Sequence, residues 1–190
     1  MQSTAEAVPT DDELVALSRS GKREAFDLLV RRYRKEIYRV ARRITGDHGE
    51  ADDLAQETFC RAWQSLATFR GDASCRTWLY RIATNLSLNV VQSARVSRRE
   101  ERTPEMLAEA GVGASPAAGV ERLMTMERNQ RLTRAIEGLP PRQKATLILR
   151  AFEAMPYSEI ARVMECSPGT AKANFFHAVS ALKKNMRGSS

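Results

Sequence analysis

The stretch YSEIARVMECSPGTAKANFFHAV, Tyr157 to Val179, decides how the second half of this chain folds. Ile160, Ala161 and Met164 fall on one face of a short helix, and the run breaks at Glu165-Cys166-Ser167. Ser167 suits an N-cap, because its hydroxyl can accept from an otherwise unpaired amide of the next turn. Pro168 suits the first helical position, where its missing N–H would have no partner anyway. The helix that follows buries Ala171, Phe175, Ala178, Val179, Leu182 and Met186 on one face. Small Ala161 at a steep crossing completes what a helix-turn-helix requires. Glu165 stands where that turn usually has Gly. If the backbone there is left-handed, Glu costs about 1 kcal/mol relative to Gly.

The outer face of the second helix has the chemistry to read duplex DNA. Ser167, Thr170, Lys172, Ala173, Asn174 and His177 lie toward its start, with Lys183 and Lys184 further on. Asn pairs with adenine, Lys reaches guanine or phosphate, and a small Ala touches a thymine methyl. His177 fits a half-buried helical position equally well.

Upstream, the periodicity is helical almost throughout. Phe26, Leu29, Val30, Tyr33, Ile37, Val40 and Ile44 form an amphipathic stripe that ends at Gly46. Leu54, Ala55, Thr58, Phe59, Ala62, Trp63 and Leu66 form a second, with acids in its first turns where the helix dipole favours them. Trp78, Ile82, Leu86 and Val90 mark a third, which puts Trp78 on the core face. Thr10 followed by Glu13 predicts a capped short helix over Asp11 to Arg19. Pro104, Gly111, Gly113, Pro116 and Gly119 then interrupt the pattern, so residues 98–119 read as a flexible linker. Four candidate helices follow between Val120 and Met186, broken at Gly138-Leu139-Pro140-Pro141, Met155-Pro156 and Ser167-Pro168-Gly169. The expected fold is all-α: two small helical domains, residues 10–97 and 120–187, joined by a tether.

Composition bounds the partners. The chain has 190 residues, 43% hydrophobic and 28% charged, which is the balance of a globular protein. Thirty Lys plus Arg against 23 Asp plus Glu gives a formal charge of +7, which favours a polyanion. No apolar run approaches the ~18 residues of a membrane span, and Met1 to Glu13 lacks a secretion-signal pattern. Membrane insertion is therefore not expected. Three widely spaced cysteines, Cys60, Cys75 and Cys166, build neither a disulfide framework nor a zinc site, and point to a reducing cytoplasm. Two of them fall at or beside helical core positions and so read as small buried hydrophobes rather than redox sensors. Neither His48 nor His177 has a second His at ligand spacing, and no phosphate-binding glycine loop occurs. Neither a catalytic site nor a cofactor is expected.

The charges are also segregated. Arg31, Arg32, Arg34, Lys35, Arg39, Arg42 and Arg43 form a basic block opposed only by Glu36. Asp47, Glu50, Asp52, Asp53 and Glu57 form a compact acidic block free of Lys and Arg. The pattern suits a protein that touches both nucleic acid and a basic protein surface, although solvated helix faces account for any one block alone. Between them and the linker, Phe69, Arg70, Ser74, Arg76, Tyr80, Arg81 and Asn85 mix aromatics, cations and an amide. Such a mixture suits single-stranded DNA: apolar walls hold an unstacked base, an amide reads its edge, and Arg neutralises phosphate.

The string DDLAQETFCRAWQSLATFRGDASCRTWLYRIATNLSLN, Asp52 to Asn89, resembles the core of a bacterial extracytoplasmic-function sigma factor of the sigma-70 family. The run from Leu139 to Lys172 (L-P-P-R-Q, Y-S-E-I-A, G-T-A-K) resembles the same family's second conserved region. The resemblance implies a region 2 bundle and a region 4 helix-turn-helix in a promoter-specificity subunit. It assigns Asp52, Asp53, Gln56 and Glu57 to docking on core RNA polymerase. Phe69 to Asn89 is assigned to opening and holding the minus-ten promoter element, and the helix from Thr170 to His177 to the minus-thirty-five element. Promoter DNA, core polymerase and an anti-sigma factor are the implied partners. Cys75 departs from the family, which often has an aromatic there.

Geometry is consistent with two-site reading. Promoter elements separated by ~1.5 turns span roughly 50 Å of DNA, and the linker extends to roughly 70 Å. No sensor domain is expected after Arg187. The alternatives are a stand-alone helix-turn-helix regulator, which needs no acidic helix or aromatic loop, and a protein-binding adaptor, whose binding would ignore salt.

Overall fold

A computed structural model describes residues 8–100 and 130–187, and the segment read as a linker lies outside the described residues apart from its first positions. Among the described residues there is no strand. Helix α1 (Asp11–Arg19) starts at the expected capping box. The Glu13 amide donates to Thr10 Oγ1 at 3.3 Å, and the Thr10 amide donates back to Glu13 Oε2 at 2.8 Å. Asp11 then accepts from both Arg32 and Tyr33, which ties α1 across the next helix.

Helix α2 (Arg23–Thr45) buries Phe26, Leu29, Tyr33, Ile37, Val40 and Ile44, the stripe expected from spacing. It ends at Gly46, whose φ of +84° suits a residue without Cβ and lets its amide bond the Arg42 carbonyl at 2.9 Å. Asp47 caps α3 (His48–Ser65), accepting from the Glu50 amide at 2.9 Å. A 3₁₀ turn, Leu66–Thr68, and a loop lead to α4 (Cys75–Glu100), which has no Gly or Pro to stop it and runs past residue 97. Helices α2, α3 and α4 pack against one another as a bundle, with α1 laid along α2.

The second unit contains α5 (described over 130–137), α6 (Pro141–Ala151), α7 (Tyr157–Met164) and α8 (Pro168–Arg187). Pro141 opens α6 at the first helical position. Arg142 reaches across to the Met164 carbonyl at 2.6 Å and clamps the end of α7 to α6. Glu165 adopts φ +50°, ψ +56°, the left-handed turn for which Gly is the usual residue. Ser167 caps α8, accepting from the Thr170 amide at 3.0 Å.

The two units do not stand apart. Helix α7 packs on α4, and α6 packs on α2 and α4. The buried core is continuous from Leu14 and Leu29 through Leu79 and Tyr80 to Ile148, Met155 and Ile160. Helical periodicity predicts each helix's buried stripe; it carries no signal for which helices meet between units.

Candidate nucleic-acid and polymerase interfaces

The loop after the 3₁₀ turn forms the wall of a cavity of about 250 Å³ on the face of α4. Phe69 packs against Trp78, with ring centroids 4.6 Å apart and planes 31° from parallel. Gly71 turns the loop at φ +78°, and Arg70, Thr77, Arg81 and Ile82 are among the further lining residues, with Arg162 of α7 reaching in from the second unit. Trp78 is therefore both core, at 7% exposure, and pocket wall. An aromatic pair with the guanidinium groups of Arg70, Arg81 and Arg162 in the lining has the elements for holding one unstacked base and its phosphates.

The other expected residues divide. Ser74 caps α4, accepting from the Thr77 amide at 3.1 Å. Asn85 is half-buried on α4 and does not line the cavity. Tyr80 is fully buried, its hydroxyl 2.9 Å from Glu36 Oε2 and 2.8 Å from Glu153 Oε2, so it donates to one carboxylate at a time. Burial first, and then the hydrogen bond to Glu153, push the Tyr80 phenol well above the ordinary tyrosine range. Arg76 stacks over the Tyr80 ring at 4.7 Å and lies 3.4 Å from Glu36 Oε2. It also donates to the Glu153 carbonyl at 3.3 Å. Arg43 bonds Glu153 Oε1 at 3.1 Å. Sequence reasoning missed Glu153 entirely. It follows α6 in a loop where Ala154 takes φ +53°, and no motif marks it.

On the other side of the bundle, Asp52, Asp53 and Gln56 are exposed and line a groove of about 540 Å³ between α2 and α3. Phe26, Val30 and Phe59 supply apolar lining, and Asp27 and Arg34 line it as well. Glu57 lies outside this lining and pairs with Arg61 at 2.6 Å. Three carboxylates, Asp27, Asp52 and Asp53, beside apolar side chains suit a basic helical partner.

The start of α8 is open. Ser167, Thr170, Lys172, Ala173 and His177 are exposed, and Asn174 is half-buried. Phe176, which the sequence reading passed over, is 69% exposed on the same helix. Of the cysteines, Cys75 is buried, Cys166 half-buried and Cys60 exposed. No described helix is long and apolar enough to cross a membrane.

Residues 29–96 match the family model for sigma-70 region 2, and residues 129–182 match that for sigma-70 region 4. The chain is 35% identical over 181 residues to the RNA polymerase sigma-H factor of Pseudomonas aeruginosa, covering 93% of this chain and 94% of the relative. It is 34% identical over 182 residues to the sigma-E factor of Escherichia coli, named as an extracytoplasmic-function RNA polymerase sigma factor, covering 94% of this chain and 95% of that one. Two solved structures share the fold. CnrH in complex with the cytosolic domain of CnrY has a TM-score of 0.69 at 24% identity, over 95% of this chain and 99% of that one. RpoE of Bartonella quintana in complex with the anti-sigma factor NepR has a TM-score of 0.62 at 20% identity, over 90% and 99%.

A region 2 bundle followed by a region 4 helix-turn-helix defines the class as a sigma-70-type specificity factor. The chain belongs to the extracytoplasmic-function sigma factors, the promoter-specificity subunits of bacterial RNA polymerase.

Proposed function

We propose a division of labour within this subunit. Asp52, Asp53 and Gln56, with Glu57 beside them, dock on a basic helical surface of core polymerase. Phe69, Arg70, Trp78 and Arg81 capture an unstacked base of the minus-ten element, and Arg76 and Asn85 extend that surface along α4. The first turns of α8, from Ser167 to His177, read the minus-thirty-five element. The observation that carries the reading is the cavity walled by Phe69 and Trp78 with Arg70 and Arg81 in its lining. The work is binding and strand opening, with no bond made or broken by the protein, and it takes place in the cytoplasm where polymerase acts. Complexes of two structures with the same fold, one with an anti-sigma factor, support an inhibitory protein partner for this chain as well.

The test is a scan of the minus-ten region with 2-aminopurine in the assembled holoenzyme. Base capture predicts a fluorescence rise at one unstacked position, lost in Phe69→Ala while polymerase binding persists. Equal signals in the two proteins would contradict it.

A further inference from the structure

A further cavity, of about 380 Å³, lies between the end of α2 and the pair α5 and α6. It shares no lining residue with the base cavity or with the acidic groove. Arg42 and Arg43, from the last turn of α2, and Lys144, from α6, bring positive charge to its lining. Ile136, Ile148 and Phe152 supply apolar lining, and Glu137 lines it as well.

The cations differ in what they already hold. Arg43 is engaged: it bonds Glu153 Oε1 at 3.1 Å and stacks over the Phe152 ring at 4.6 Å. Neither Arg42 nor Lys144 has a carboxylate within ion-pair distance among the described residues. For half-buried Arg42 water can make up the difference. Lys144 is 5% exposed and has largely lost that recourse. Arg42 and Arg95 repel its ammonium, and Glu137 attracts it from beyond ion-pair distance. A desolvated cation without a paired anion, on the wall of a cavity, lacks the compensation that a buried charge requires.

We propose that this cavity binds a small phosphomonoester, its dianionic head held between Lys144 and Arg42 and its apolar body laid on Ile136, Ile148 and Phe152. Two unpaired cations call for two negative charges. A phosphate monoester carries both on one group, and its oxygens match the forked donors of a guanidinium. Glu153 neutralises Arg43 and Glu137 opposes one of the two remaining charges, so the site keeps a net positive charge. The volume falls within the ~300–1,000 Å³ of small-molecule sites, and apolar walls with a few convergent polar groups are the usual make-up of such sites. Binding supplies the partner that folding leaves out, so the ligand stabilises the chain through Lys144 itself.

The test uses the full chain with phenyl phosphate as the probe, read by isothermal titration calorimetry and by the melting temperature. One site per chain and a saturable rise in Tm are expected. Lys144→Met should weaken binding by about tenfold and lose the ligand-induced rise, whatever its own Tm. Arg42→Gln should weaken binding in the same sense, and decides the matter if Lys144→Met fails to fold. Lys35→Met removes an exposed cation of α2 outside the cavity, and this charge-matched control should bind as the wild type does. Phenol offers the body without the head and sulfate the charge without the body, and each should bind about tenfold more weakly than phenyl phosphate. Equal affinity in the wild type and in the folded Lys144→Met and Arg42→Gln chains overturns the site. Several phenyl phosphates per chain, matched by sulfate, would be the adsorption expected of any chain of charge +7 and overturns it too. So does a wild-type chain that shows neither heat nor a Tm rise with the probe at about 1 mM.

Discussion

The Tyr80 hydroxyl lies 2.8 Å from Oε2 of Glu153, a residue 73 positions later in the chain, and this bond sits at the seam between the two helical units. Tyr80 is fully buried and Glu153 nearly so, which makes the contact dependent on both units being in place.

The seam has a pH signature. Burial and the Glu153 bond raise the Tyr80 phenol in the folded protein above its unfolded range near ~10. Tyr33 is raised in the same sense, by burial first and then by Asp11. A raised phenol contributes stability that is fully present below about pH 10 and lost as pH rises further, because the unfolded chain then releases a proton that the folded one keeps. Alkaline titration followed by phenolate absorbance and circular dichroism should show these two tyrosines ionising only with unfolding. Tyr80→Phe should remove its share of that alkaline dependence. Ionisation of Tyr80 in the intact fold would contradict the bond.

The cysteines should separate by reactivity. Burial first, and then Asp11 and Asp12, raise the Cys75 thiol to about 12 against the opposing effect of Arg32. Almost no thiolate is then present at neutral pH, and thiolate is the reacting form. A thiol-specific reagent should label exposed Cys60 quickly and Cys75 only after denaturant is added. Peptide mapping of the labelled sites checks the order.

Lys144 is 5% exposed on α6. Burial lowers its pKa, Glu137 opposes that, and Arg42 and Arg95 add to the lowering. A cation buried among cations costs desolvation and repulsion that Glu137 offsets in part. Lys144→Met should therefore stabilise the folded chain by about 1 kcal/mol, a rise of roughly 3 °C in Tm. A lower Tm would mean that Glu137 compensates the charge fully.

Glu165→Gly addresses the turn of the helix-turn-helix. Its left-handed backbone suits Gly, so the substitution should relieve strain of about 1 kcal/mol. Denaturant melting should show a higher midpoint with an unchanged slope. A lower midpoint would mean that the Glu165 side chain contributes more than its backbone costs.

What could be read from the sequence was local. Thr10 and Glu13, Gly46, and Ser167 before Pro168 act within a few residues, and each sits in the structure as its chemistry requires. Glu165 standing where the turn usually has Gly left its backbone open in the sequence, and the structure gives it the left-handed conformation. The wall made by Phe69 was suggested by the mixture of aromatics and cations in one loop, whereas Trp78 was placed on the core face and turned out to serve the pocket too. Ser74 and Tyr80 carried the same chemical signal but are drawn into a helix cap and a buried bond. Glu153 was illegible, since its meaning depends on α6 and α2 meeting across a stretch of more than a hundred residues. Helical period encodes which face is buried, and not which partner buries it.

The most direct test of the whole account is run-off transcription from a promoter library, with core polymerase and either this protein or its Asp53→Arg variant. Specific transcripts that need the wild-type chain and vanish with the variant are the expected result. Transcripts that persist undiminished with Asp53→Arg would contradict docking through the acidic face of α3.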